Sequence, residues 1–211
     1  TEASAGGMGR AEEIIRAACP HMTGRIQPVP FSMAQRRGLG TKRIESWRAS
    51  ADFAVDAFND GAHSVALATV GDPAVYSTFT YLRANVEERL PDVVIALVPG
   101  ITAMQAIAAA AGTPLVEGRE ILALVPATVG PEKLGEVLDV VDSVTVYKGG
   151  RKMPEVLEQI RERGRDAIIG TDVSLPTQHL LGLAQVEADE SAPYFSTVLS
   201  VPERTVTGGK L

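Results

Sequence analysis

The sequence predicts an α/β protein made of two α/β halves with mixed sheets. Three observations carry that expectation. Strand-like and helix-like segments alternate along the chain, which is the pattern of crossover connections between parallel strands. The alternation restarts after Gly118. The last third then turns to short β segments with no long helix between them, which adds antiparallel strands to the second sheet. The boundary is expected within residues 112–118 (GTPLVEG), giving halves 1–114 and 115–211 of ordinary domain size.

The elements follow in order. Residues 9–19 have helical spacing and stop before Pro20, and residues 25–31 read as a short extended stretch punctuated by Pro28 and Pro30. In residues 41–59, Ile44, Trp47, Ala51, Val55 and Phe58 fall three or four apart and make one apolar face. Thr41 is the candidate cap of that helix and Gly61 its stop. Residues 64–70 and 93–98 read as buried strands, 75–90 as a helix, and 101–111 as an Ala-rich helix closed by Gly112. After the restart, 121–125, 143–147 and 166–170 read as strands, and 131–141 and 153–163 as helices. Residues 183–186 and 195–201 are the short β segments.

Composition narrows the function. With 211 residues, 45% of them hydrophobic and 22% charged, the chain can bury a real core and is not globally disordered. The single Cys19 excludes a disulfide framework, and His21, His63 and His179 lack ligand spacing, so no metal site is expected. A net charge of -6 and 5% aromatic residues argue against a nucleic-acid partner. Gly and Pro interrupt every long apolar run, so no membrane partner is expected, and no secretion signal is read. The expectation is a soluble cytoplasmic protein acting on a small molecule.

Four strand exits carry the candidate chemistry. In 69–82 (TVGDPAVYSTFTYL), Gly71 lets a ligand approach the backbone, Asp72 offers a carboxylate acceptor, and Pro73 fixes the turn. In 98–106 (VPGITAMQA), Thr102 stands where a hydroxyl and free helix N–H groups meet a polar ligand. Residues 146–151 (VYKGGR) and 170–178 (GTDVSLPTQ) are two further polar exits. Each one taken alone is equally an ordinary capped turn.

Together with PYFS at 193–196, these segments resemble the tetrapyrrole (corrin and sirohaem) methyltransferase family, in that order and at suitable spacing. The string Tyr76-Ser77-Thr78 with Tyr81-Leu82 is narrower and resembles the precorrin-2 C(20)-methyltransferase branch, cobalt-factor relatives included. The resemblance implies a two-domain fold of the tetrapyrrole methylase type. S-adenosylmethionine would lie in a cleft between the domains and leave as S-adenosylhomocysteine. It implies that Gly71, Asp72, Val75, Tyr76, Thr102, Ala103, Tyr147, Lys148 and Val173 line the cofactor, and that Ser77 and Thr78 face the tetrapyrrole. It also implies a homodimer, and no side-chain acid or base, because methyl transfer from a sulfonium rests on positioning and water exclusion.

Two further expectations concern the N-terminal part. The family's opening strand with its Gly-x-Gly-Pro-Gly-Asp-Pro loop has no counterpart here, and Gly6-Gly7-Met8-Gly9 reads as a plain loop, so a longer native protein is expected. A polycarboxylate substrate needs basic partners in an acidic protein. Arg36 and Arg37, in a stretch that also holds Lys42 and Arg43, are the candidates for gripping its carboxylates. Three functions remain open at this point: methylation at C(20) of precorrin-2, methylation of another carbon or of a cobalt-loaded macrocycle, and a truncated non-catalytic binding module.

Overall fold

In the computed structural model, which describes residues 8–29, 41–189, 191–193 and 195–205, the chain parts into two units, Thr1–Gly100 and Ile101–Leu211. Arg36 and Arg37 lie outside the described residues.

The first unit is organised by helices. α1 (Arg10–Ala18) buries none of its residues and is laced by Arg10–Glu13 and Arg16–Glu12 ion pairs one turn apart. α2 (Thr41–Asn59) matches the expected span. It ends as expected at Gly61, whose φ of 92° lets the Gly61 and Ala62 N–H groups turn back to the Phe58 and Ala57 carbonyls. α3 (Phe79–Arg89) packs on α2 through buried Ala51, Leu82 and Val86. Trp47 of α2 stacks on Tyr81 of α3, with ring centroids 4.1 Å apart and planes 5° apart.

The two strands expected in this unit do not form. Residues 64–70 and 93–98 run extended, and Leu67 and Val93 pack on the α2–α3 cluster, but no ladder joins them among the described residues. Val94 is 92% exposed and Val98 80%. An apolar run creates a tendency to extend, whereas a strand needs a neighbouring backbone for its hydrogen bonds. Helix α3 also begins later than expected, because residues 71–78 are used to build a turn.

The second unit holds a five-stranded mixed sheet of order β1-β2-β5-β3-β4. Its strands are β1 (Leu122–Pro126), β2 (Ser143–Tyr147), β3 (Ile168–Thr171), β4 (His179–Gly182) and β5 (Ser196–Ser200). β1 and β2 are parallel, in register Leu122 to Ser143, and α5 (Pro131–Val140) makes the crossover between them. β5 pairs antiparallel with β2 and β3, and β4 antiparallel with β3, so the last third completes the sheet as the sequence predicts. One correction applies: residues 183–185 form a 3-10 turn, and the β segment precedes it at β4.

Side-chain alternation divides this sheet into two packed faces. Val144, Val146 and Val198 join Leu134, Leu138, Leu157 and Ile160 under α5 and α6 (Met153–Glu162). On the other face, Leu199 packs with Ile107 and Ala108 of α4 (Ala103–Ala111), beside Val173 and Leu180. That packing groups α4 with the second unit, although a division after residue 114 would leave it with the first. Ser143 and Thr145 are fully buried on β2, and their hydroxyls have no partner among the described residues.

Candidate functional site

The first candidate turn is built by Asp72. Its Oδ1 accepts the Ala74 N–H at 2.7 Å, closing a local Asx turn, and its Oδ2 accepts the Gly100 N–H at 2.8 Å. The Gly100 hydrogen bond first, and the Ala74 bond second, hold this carboxyl below its ordinary pKa against a small opposing effect of desolvation. Gly71 takes φ 79°, a conformation that favours glycine. Gly100 is tied to the same place. A side chain there would run into the Gly71 carbonyl oxygen and stand 3.1 Å from the Gly71 carbonyl carbon. The two turns therefore touch backbone to backbone, and Asp72 spends both oxygens on the protein's own amides.

The rest of this loop follows. The Val75 N–H returns to the Asp72 carbonyl at 3.2 Å. Tyr76 is held at φ 51° with 42% of its surface exposed. Ser77 Oγ accepts the Phe79 N–H at 3.1 Å and lies 3.5 Å from Thr69 Oγ1, so it serves the start of α3. Thr78 is the residue that opens that helix, without a side-chain cap bond.

The second candidate arrangement surrounds the start of α4. Thr102 caps the helix through a reciprocal box: its Oγ1 accepts the Gln105 N–H at 3.4 Å, and Gln105 Oε1 accepts the Thr102 N–H at 2.9 Å. The Tyr147 hydroxyl accepts the Met104 N–H at 3.0 Å. Burial raises the Tyr147 pKa, and the bonds to Met104 and Thr102 offset part of that rise. With these amides satisfied, the Ala103 N–H is the first-turn donor that has no partner among the described residues.

Two further exits complete this second set. Lys148 follows Tyr147 with φ 60° and is exposed, and buried Gly149 comes next. Val173 packs its side chain beside Ile107, and a Cβ on Gly170 would stand 2.7 Å from Val173 Cγ2 and 2.8 Å from Ile107 Cδ1. Val173 is partly buried there. The flanking Asp172 and Ser174 have φ 49° and 71°, held by Thr177 Oγ1 donating to Asp172 Oδ2 at 2.9 Å and the Ser174 N–H donating to Gln178 Oε1 at 2.8 Å.

The structure thus gathers Gly71, Asp72, Val75, Tyr76, Ser77 and Thr78 in one turn with Gly100, and Thr102, Ala103 and Tyr147 around one helix start. Among the described residues, the non-glycine positions with positive φ are Tyr76, Lys148, Asp172 and Ser174, all inside the four exits singled out from the sequence. Strain of this kind persists only where the surroundings over-determine it, and it concentrates at functional sites. Sequence reasoning missed Gln105, whose spacing from Thr102 is the capping-box pattern, and Gly100, whose lack of a side chain was legible only as part of a turn.

Comparison with known proteins bears on the family and the fold. Residues 4–186 match the profile described as Tetrapyrrole (Corrin/Porphyrin) Methylases. A precorrin-2 C(20)-methyltransferase of Sinorhizobium sp is 32% identical over 161 residues, covering 75% of this chain and 64% of the relative. The cobalamin biosynthesis protein CobIJ of Mycobacterium tuberculosis (strain ATCC 25618 / H37Rv) is 31% identical over 176 residues, 82% of this chain and 34% of that one. The chain therefore spans less than two thirds of either relative. Among solved structures, the methyltransferase CobJ matches with a TM-score of 0.57 at 25% identity, over 88% of this chain and 82% of its own. Uroporphyrin-III C-methyl transferase from Thermus thermophilus, complexed with S-adenyl homocysteine, matches in fold with a TM-score of 0.56 at 18% identity, over 78% and 75%. The chain belongs to the tetrapyrrole (corrin/porphyrin) methylase family.

Proposed function

We propose that this protein is an S-adenosylmethionine-dependent C-methyltransferase acting at C(20) of precorrin-2 in cobalamin biosynthesis. The observation that carries the reading is the pair of touching turns at Gly71 and Gly100, where the missing side chain of Gly100 lets the two turns meet backbone to backbone. The Ala103 N–H at the start of α4 is a backbone donor that has no partner among the described residues. These features fit a cofactor held by main-chain groups more than by side-chain charge. Gly71, Asp72, Val75, Tyr76, Thr102, Ala103, Tyr147, Lys148 and Val173 would hold it, with Asp72, Thr102 and Tyr147 acting through the backbone they fix. When bound, S-adenosylmethionine supplies a methyl group already activated on a sulfonium, so the chain's task is to orient and to exclude water. The relative named precorrin-2 C(20)-methyltransferase supports the carbon and the substrate.

Ser77, Thr78, Arg36 and Arg37 belong to the substrate side of this reading, with the two arginines pairing with carboxylates. The reading further places the enzyme in the cytoplasm as a homodimer without a nucleic-acid partner, in keeping with a net charge of -6. Among the described residues, no helix is long and apolar enough to cross a membrane.

A second reading has a specific observation behind it. A probable cobalt-precorrin-2 C(20)-methyltransferase of Methanocaldococcus jannaschii is 40% identical over 106 residues, which favours a cobalt-loaded substrate. Calorimetric titration with S-adenosylhomocysteine tests the methyltransferase reading, and a folded sample that gives no heat of binding overturns it. Mass spectrometry of products from precorrin-2 and from its cobalt complex separates the two substrates: a 14 Da gain from the metal-free macrocycle alone supports the first (the expected mass of an added CH2 is about 14 Da, as general chemistry fixes).

A further inference from the structure

We propose that Asp72 is a positioning residue, a latch that fastens the 98–100 turn to the 71–74 turn and so sets the spacing of the backbone groups that meet the ligand. The inference rests on the reading that these turns hold S-adenosylmethionine. It departs from the expectation that Asp72 is itself a cofactor ligand.

Four observations carry it. Each Asp72 oxygen serves a different turn, Oδ1 the Ala74 N–H at 2.7 Å and Oδ2 the Gly100 N–H at 2.8 Å, and the second bond spans 28 residues of sequence. The residues leading into the two turns, 64–70 and 93–98, form no ladder among the described residues, so strand pairing does not fix the register of one turn on the other. The approach is closer than any side chain on Gly100 allows, since its Cβ would strike the Gly71 carbonyl oxygen. Finally, Asp72 is chemically suited to the task. An ionised carboxylate accepts on both oxygens and donates on neither, so both amides are satisfied at once. Asparagine of the same size would keep one acceptor and turn an NH2 toward the other amide. Alanine would remove both.

The test uses the full chain with three variants: Asp72→Asn, Gly100→Ala, and the two combined. Amide resonances in a nitrogen-15 correlation spectrum report the latch, and calorimetric titration with S-adenosylhomocysteine reports its consequence. Asp72→Asn should move the Gly100 amide resonance, leave Gly170 and Gly182 of the other unit in place, and weaken S-adenosylhomocysteine on the order of tenfold, as expected for a charge-assisted hydrogen bond. Gly100→Ala, with Asp72 intact, should weaken binding to a similar extent. The double variant should bind no worse than either single one, because both changes open the same latch. Undiminished affinity in Asp72→Asn overturns the proposal. So does an additive loss in the double variant, which marks Asp72 as a direct ligand contact. If Gly100→Ala does not fold, the size-matched Asp72→Asn still decides through its affinity. If the parent chain does not bind S-adenosylhomocysteine, the proposed function falls. The latch is then judged by the Gly100 resonance alone: a shift on Asp72→Asn supports it and an unmoved resonance overturns it.

Discussion

The two units of this protein use the same sequence pattern, an apolar run that ends at a glycine turn before a helix, with opposite results. In the second unit, β2 pairs on both sides, and Val144 and Val146 are 0% and 1% exposed. In the first, residues 93–98 carry the same kind of run, yet Val94 is 92% exposed. The second unit covers both faces of its sheet with helices. The first closes on the contact of α2 with α3, where Ala51, Leu82 and Val86 are the buried members. The difference shows that extension is a local property and a strand is not. The hydrogen bonds of a strand belong to its neighbour as much as to itself.

Core truncation should expose that contrast most strongly. Leu157→Ala removes a side chain that is 0% exposed beneath the sheet, and a loss of about 2–5 kcal/mol is expected in urea unfolding followed by circular dichroism. Leu82→Ala, at 5% exposure in the smaller cluster, should fall at or below the bottom of that range. Equal losses in the two variants would erase the distinction between the units.

A smaller effect of opposite sign is expected within the second unit. Its core buries Thr145 with a hydroxyl that has no partner among the described residues. Thr145→Val keeps the shape and removes the orphaned group, so stability should rise by about 1 kcal/mol. A drop in melting temperature would mean that the hydroxyl is satisfied in solution.

The smallest effect concerns acid. Glu120 accepts from the Glu117 N–H at 2.8 Å and pairs with Arg204 at 2.6 Å, tying residues 117–120 to the C-terminal stretch. Its side chain is 2% exposed. Burial by itself would raise its pKa, but the Arg204 hydrogen bond, the Glu117 amide and the Arg204 charge outweigh it, and the net shift is downward. A carboxyl lowered in the native state contributes stability that is fully present above its unfolded pKa and is lost as pH falls through its native one. The melting-temperature gap between the parent and Glu120→Gln should therefore be open at neutral pH and close on acidification. A gap that stays constant with pH would show that the ion pair does not contribute.

Much of the candidate site was legible because its turns are written in residues with few conformational options. Gly71, Pro73 and Gly100 announce turns, and Thr102 announces a helix start. Arg36 and Arg37 lie outside the described residues and stay with the sequence reading. Asp72 was placed correctly in a turn, but its partner was not readable, since Gly100 lies 28 residues away. Tyr147 was singled out as a site residue by resemblance. Its bond to the Met104 amide, across 43 residues, forms only once α4 packs on the sheet.

The sequence by itself determined the order of the helices, the glycine turns and the mixed character of the second sheet, because local periodicity and turn chemistry act over a few residues, and its motifs carried the family resemblance. Only the tertiary structure decided which extended segments become strands, which unit α4 joins, and which amides Asp72 and Tyr147 satisfy. Those outcomes depend on what lies across space from a residue, and hydrogen-bond partners and packed faces are set when distant segments meet.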